Sequence, residues 1–401
     1  MAYGGTAPTG AATRRFLLLL NNILAMVSNG AWYVIGPFVP LYLGTLGASV
    51  SVVGLVLGVS GVLPLLIAIP SGALADKHGA AAVAKAAVVA YALAAVALLA
   101  IHNVWAVTIA YALLGAGSIG FAVEAQAVVA AISPPRERLN NFGYYSLWSS
   151  AGAVVGPPIG GAIVGHLGYT AAFALIGMLM VPSFAIANVL SAVPPTARSV
   201  ASLASAYDLV VPILRRPGIG AVLFISFMTM AAQTLQQSFY PIYLSSVGLS
   251  VTLIGTVFAA ISLSSMLVRS LLSPGTARLG NTGLLLAATG LAALSLGITP
   301  FLREFWPLAA AGALMGASTG LALPMTMNLM TEPVPAEFWG VAFGIRQGVM
   351  RVAMIISPVV FGVLIAAAGL PAGFFAGALT LVGAMPIIAK GITSPGRPRM
   401  S

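Results

Sequence analysis

The sequence predicts an all-α integral membrane protein with twelve transmembrane helices in two parallel six-helix repeats. Three observations predict it. Only 6% of the 401 residues are charged and 60% are hydrophobic, whereas a soluble domain carries about 25% charged residues. Twelve mainly apolar stretches follow one another, each near the roughly 20 residues a helix needs to cross a bilayer. Blocks of sequence also recur at one constant offset, 201 residues.

The apolar stretches are 16–43, 51–75, 83–101, 104–132, 141–166, 169–192, 218–245, 250–272, 283–301, 304–331, 340–366 and 369–391. Arg14-Arg15 before Phe16-Leu17 looks like the start of an export signal. The apolar stretch behind it is too long for one, and more spans follow. Glycine and proline are abundant, 45 and 26, and membrane helices tolerate both.

The basic residues alternate between loops. One set of loops and tails holds Arg14, Arg15, Lys77, Arg136, Arg138, Arg198, Arg215, Arg216, Arg278, Arg397 and Arg399, while the opposite set holds only Arg303. The positive-inside rule therefore places both termini in the cytoplasm. The net charge of +10 is read as loop anchoring to a lipid bilayer, with no nucleic-acid partner expected. Much alanine, and arginine in preference to lysine, suggest the plasma (inner) membrane of a prokaryote.

The longest loop divides the chain into an N-terminal half (1–192), a cytoplasmic linker (193–217) and a C-terminal half (218–401). The halves repeat: "FVPLYLGTLGASVSVVG" at 38–54 returns as "FYPIYLSSVGLSVTLIG" at 239–255. The same offset pairs Gly79 with Gly280, Phe142-Gly143 with Phe343-Gly344, and Pro157 with Pro358. One offset shared by several helices marks a duplication. Six helices per repeat preserve orientation, so the repeats are parallel.

Two motifs carry a family resemblance. "GALADKHG", between the second and third spans, supplies Gly72, Leu74, Asp76, Lys77 and Gly79 in the pattern G-x-L-a-D-[RK]-x-G, with Ala80 and Ala81 where a basic pair often follows. "GAVVGPPIGG" in the fifth span supplies Gly152, Gly156, Pro157, Gly160 and Gly161 in the pattern G-x-x-x-G-P-x-x-G-G. The chain thus resembles the major facilitator superfamily and, through the second motif, its exporters of the drug/proton antiporter groups. The resemblance implies alternating access of two six-helix halves around a central site. It also makes Asp76, with Gly72, Lys77 and Gly79, a conformational latch. In one respect the chain departs from these exporters: Tyr111 stands four residues before Gly115, where they often carry an arginine.

In this family the first, fourth, seventh and tenth spans line the cavity, and the sequence offers polar stripes there. Asn22, Met26, Asn29 and Tyr33 fall within about 60° on the first span. Gln233, Gln236, Gln237 and Tyr240 form a stripe about 100° wide on the seventh, and the tenth offers Thr326 and Asn328. Such stripes rarely face lipid; they serve either a substrate or helix–helix hydrogen bonds. Methionine and aromatic residues among them suit an amphipathic substrate.

Glu124 is the one acid placed well inside a span, about 12 Å from the cytoplasmic end of its helix. Its duplicate position is Met325. Gly117, Gly120 and Phe121 share its face, and the glycines are expected to leave room for water or a ligand. An intramembrane acid marks a functional site. Removal from water disfavours a carboxyl's charged form, so such an acid can load and release a proton or trade it for a cation. The other readings are a structural pair with Arg346 or Arg351 on the eleventh span, and a neutral, tolerated acid. The two arginines lie about 140° apart on their helix, so both cannot face one partner.

No other chemistry is indicated. "GAGSIG" at 115–120 lies inside an apolar helix rather than after a strand, so it is no dinucleotide site. There is no phosphate-binding loop for ATP and no cysteine, and the three histidines do not cluster. No enzyme activity, cofactor or metal is expected. The expected function is proton-coupled export of small amphipathic molecules by a monomer. Transport of organic anions or sugar-like solutes on the same fold, and a non-transporting scaffold or sensor, are the alternatives.

Overall fold

The computed structural model describes residues 10–134, 136–193, 210–331, 333–335 and 338–391. Most of the 193–217 linker, Glu332, Glu337 and the tail with Arg397 and Arg399 lie outside them. The helices are α1 (Ala11–Ile35), α2 (Val39–Thr45), α3 (Val50–Ser60), α4 (Val62–His78), α5 (Ala80–Ala100), α6 (Val104–Ile132), α7 (Arg138–Leu167) and α8 (Tyr169–Val189). After the linker come α9 (Val210–Leu214), α10 (Ile219–Ser246), α11 (Val251–Leu267), α12 (Leu272–Ile298), α13 (Phe305–Thr331), α14 (Trp339–Ala368) and α15 (Leu370–Gly391).

Eleven helical runs are long and apolar enough to cross a membrane. One of them, Val251–Phe301, has 51 residues, about 76 Å of helix against a hydrocarbon core of about 30 Å. It breaks at Gly280, whose φ of 69° is not helical, and so supplies two crossings. Among the described residues the count is then twelve, in line with the apolar stretches.

The duplication is written into the backbone. Gly47 and Gly248 (φ 79° and 92°), Gly79 and Gly280 (88° and 69°), and Gly168 and Gly369 (84° and 86°) share left-handed conformations at the 201-residue offset. These positions favour glycine because a Cβ there meets the backbone.

The chain packs into two compact units. Among the described residues, the first holds 10–48, 59–193 and 250–259; the second holds 49–58, 210–249 and 260–391. Segments 49–58 and 250–259 are equivalent under the offset, and each packs in the unit opposite the rest of its own repeat. Small residues make this possible. In the first unit α7 crosses the start of α11: a Cβ on Gly161 would lie 2.8 Å from the Val251 carbonyl oxygen, and one on Gly255 would strike that of Pro157. In the second unit α3 crosses α14 in the same way, with Gly54 against the Pro358 carbonyl and the Cα of Gly362.

Candidate functional site

The first unit builds a pocket from α1, α6 and α7. The antiporter-type motif explains how α7 reaches α1. Gly152, Gly156 and Gly160 are spaced at i, i+4 and i+8, so they form one row along the helix. A Cβ on Gly152 would strike the Met26 carbonyl, one on Gly156 would lie 2.7 Å from that of Gly30, and one on Gly160 would strike that of Val34. Continued towards the start of α7, the row presents Ser149 and Tyr145.

Those two residues wall the pocket with Ser28 and Asn29 of α1 and Ser118 and Phe121 of α6. The cavity they enclose is small, about 40 Å³, and is open on one side. The Asn29 amide donates to the Ser149 carbonyl at 2.7 Å. Ser28 and Ser118 donate to carbonyls three residues back, Ala25 at 3.2 Å and Gly115 at 2.7 Å. Each hydroxyl oxygen keeps acceptor capacity. The Tyr145 hydroxyl is hydrogen-bonded to the Gln126 side chain. One polar wall beside an aromatic pair suits a molecule with both characters.

Glu124 lies on α6, turned about 110° from the arc of Ser118, Phe121 and Ala122. It is 0% exposed, and neither carboxylate oxygen has a hydrogen-bond partner. Asn21 donates to the carbonyl of Ala125, next to Glu124, at 3.3 Å, while the side-chain oxygens of Asn21 and Asn22 have no partner. The expected room beside Gly117 and Gly120 is not there. A Cβ on Gly117 would lie 2.5 Å from the Tyr91 ring, and one on Gly120 would lie 3.0 Å from Ala87. These glycines let α5 approach α6; they do not open a path to a ligand. The Tyr91 hydroxyl donates to the Ser28 carbonyl at 3.4 Å, closing the contact with α1.

Of the first-span stripe, Asn29 lines the pocket, Asn22 is buried, and Met26 and Tyr33 are half-buried. The pocket residues Ser28, Ser118, Tyr145 and Ser149 were not singled out in the sequence, and Phe121 was named there only as sharing the face of Glu124. Their signal was the glycine row itself, whose stripe continues through Ser149 and Tyr145. Tyr111, at the departure from the arginine pattern, stacks on Trp32 with ring centroids 5.0 Å apart.

In the second unit, Gln236 is buried and Gln233 and Gln237 are half-buried. Tyr240 is a packing residue here, not a cavity wall. It is 1% exposed, its hydroxyl donates to Leu308 at 2.6 Å, and its ring meets Phe374 edge-on. Asn328 is exposed, whereas Thr326 is buried. Arg346 donates to the Thr326 hydroxyl from Nε at 3.2 Å and from Nη2 at 2.8 Å, and to the Leu323 carbonyl at 3.0 Å. Arg351 points Nη1 at the Met354 sulfur, 3.6 Å away. In the latch motif Gly79 separates α4 from α5 with φ 88°, Gly72 lies within α4 and Lys77 is exposed. The Asp76 side chain lies outside what is described.

The chain matches the family model described as Major Facilitator Superfamily over residues 22–303 and 222–399. It is 25% identical to the multidrug resistance protein MdtG of Salmonella paratyphi C over 366 residues, 87% of this chain and 88% of that protein. It is 24% identical over 338 residues to the multi-drug resistance efflux pump PmrA homolog of Lactococcus lactis, covering 81% and 82%. Among solved structures it is similar to a bacterial homolog of the human lysosomal transporter Spinster, with TM-score 0.77 and 14% identity over 94% of this chain and 97% of that one. A POT family transporter crystallised with 5-aminolevulinic acid gives TM-score 0.75 and 14% identity, covering 98% of each chain. The protein is a multi-pass membrane transporter of small molecules rather than an enzyme. Matched by the family model across both its repeats, the chain belongs to the Major Facilitator Superfamily.

Proposed function

We propose that this protein exports small amphipathic molecules in exchange for protons, by alternating access, with both termini in the cytoplasm. Glu124 carries the proton, and the pocket walled by Asn29, Phe121 and Tyr145 receives cargo. The observation that carries this reading is the carboxyl itself, fully buried with both oxygens unpartnered. An ionised carboxylate in that setting is strongly disfavoured, so the group holds a proton until a change of surroundings releases it. The names of the relatives, a multidrug resistance protein and an efflux pump, support the outward direction.

The test uses inverted vesicles with an acid interior, read by a pH-sensitive dye while lipophilic cations, organic anions and sugars are added in turn. Wild type is expected to dissipate the gradient with at least one amphipathic compound, and Glu124→Gln with none. Equal responses from the two proteins would remove Glu124 from the coupling step. No response from wild type would end the proton-exchange reading.

The pocket has its own test. Ala122 also lines it, so Ala122→Phe fills space without touching Glu124. The KM of an exported compound is expected to rise by about tenfold, a loss of roughly 1.4 kcal/mol in binding. An unchanged KM in a folded variant would place the cargo elsewhere.

A further inference from the structure

We propose that Arg346 is an anion subsite of the second unit that receives the carboxylate of the transported molecule, which makes the cargo an amphipathic organic acid or zwitterion. This rests on the transport reading above and narrows its substrate class.

Among the described residues the guanidinium is positioned by neutral oxygens and meets no carboxylate. A guanidinium has five N–H donors. Three are engaged: Nε with Thr326, and Nη2 with both Thr326 and Leu323. All three acceptors are uncharged oxygens. The Thr326 hydroxyl donates to its own helix, to Ala322 at 2.9 Å, so its lone pairs are held towards the arginine. Both N–H groups of Nη1 remain free, and the residue keeps 6% of its surface exposed. Glu304 is the one acid among the second unit's described residues. It lies 22 residues before Thr326, about 33 Å along α13. An arginine within a span that pairs with no acid among the described residues is costly. Nη1 of this weakly hydrated cation can donate a charge-assisted hydrogen bond to a carboxylate oxygen.

The duplication says what this position does. At the 201-residue offset Arg346 corresponds to Tyr145, and Leu323 corresponds to Ala122. Both Tyr145 and Ala122 line the pocket of the first unit. The arginine and its carbonyl partner are thus the repeat equivalents of two residues that wall the first unit's pocket. At the equivalent positions Met230 replaces Asn29 and Met350 replaces Ser149, while Thr229 and Thr319 keep the hydroxyls of Ser28 and Ser118. One fixed cation, with methionines at two of these positions, matches a molecule with an apolar body and an anionic end.

The test is equilibrium binding of a matched fluorescent pair, dansyl-glycine and its neutral amide dansyl-glycinamide, to the full-length protein in nanodiscs. It needs no proton gradient, so its outcome is independent of the Glu124 result. Wild type is expected to bind the acid about tenfold more tightly than the amide, as one charge-assisted pairing allows. Arg346→Gln is expected to lose the preference while still binding the amide, which shows that it is folded. Arg346→Lys is expected to keep part of it. Nanodiscs with and without anionic lipid separate a substrate carboxylate from a lipid headgroup. If wild type binds the two probes equally or binds neither, the proposal is overturned. A preference that survives in Arg346→Gln, or one that anionic lipid abolishes in wild type, overturns it as well.

Discussion

Gly160→Ala is expected to destabilise the protein by about 1–3 kcal/mol, the usual range for forcing extra carbon into a packed interface. The reason is local. The new Cβ would land on the carbonyl oxygen of Val34, and backbone cannot swing aside as the end of a side chain can. The helices α1 and α7 would have to separate, and the pocket they wall would lose its shape. Gly143→Ala on the same helix is the control, because nothing lies within 4 Å of a Cβ there. That change is expected to be neutral or mildly stabilising, since alanine is the better helix former by about 1 kcal/mol. Thermal unfolding of the detergent-solubilised variants, followed by size-exclusion recovery, checks both. Equal melting temperatures would mean that the row of glycines is not a packing device.

Glu124→Met is expected to act in the opposite direction on stability and to abolish coupled export. Both carboxyl oxygens lack partners, and a buried polar group without a hydrogen bond costs about 1–3 kcal/mol. Methionine is what the duplication itself places there: Met325, 4% exposed, fills the equivalent position of the second unit. The variant should melt higher than wild type and fail the vesicle assay. This pairing separates the readings of the acid. A structural ion pair predicts that the variant melts lower, because removing one partner strands a buried charge. A lower melting temperature would therefore return Glu124 to a structural role.

The fold was legible because its determinants are one-dimensional. Apolar runs, the alternation of basic loops and a constant offset all survive without coordinates. The predicted fourth and sixth spans, 104–132 and 169–192, coincide with the helical runs Val104–Ile132 and Tyr169–Ala192. The glycine motif was legible as a motif, but its partners were not. That Gly152, Gly156 and Gly160 face α1 while Gly161 faces α11 depends on which helices become neighbours. The same limit misled the reading of Gly117 and Gly120. Small residues signal a close approach, and only the packing shows whether a helix or a ligand makes it. The sequence likewise does not show that the Tyr240 hydroxyl is directed to the backbone carbonyl of Leu308.

By itself, the sequence determined a twelve-span, duplicated membrane transporter with a single acid deep in one half, because hydropathy and repetition act along the chain. The tertiary structure decided three things that depend on side chains meeting across helices. Segments 49–58 and 250–259 exchange units. Glu124 is fully buried, and neither of its carboxyl oxygens finds a hydrogen-bond partner. Arg346 is held by neutral oxygens, with two donors left to offer.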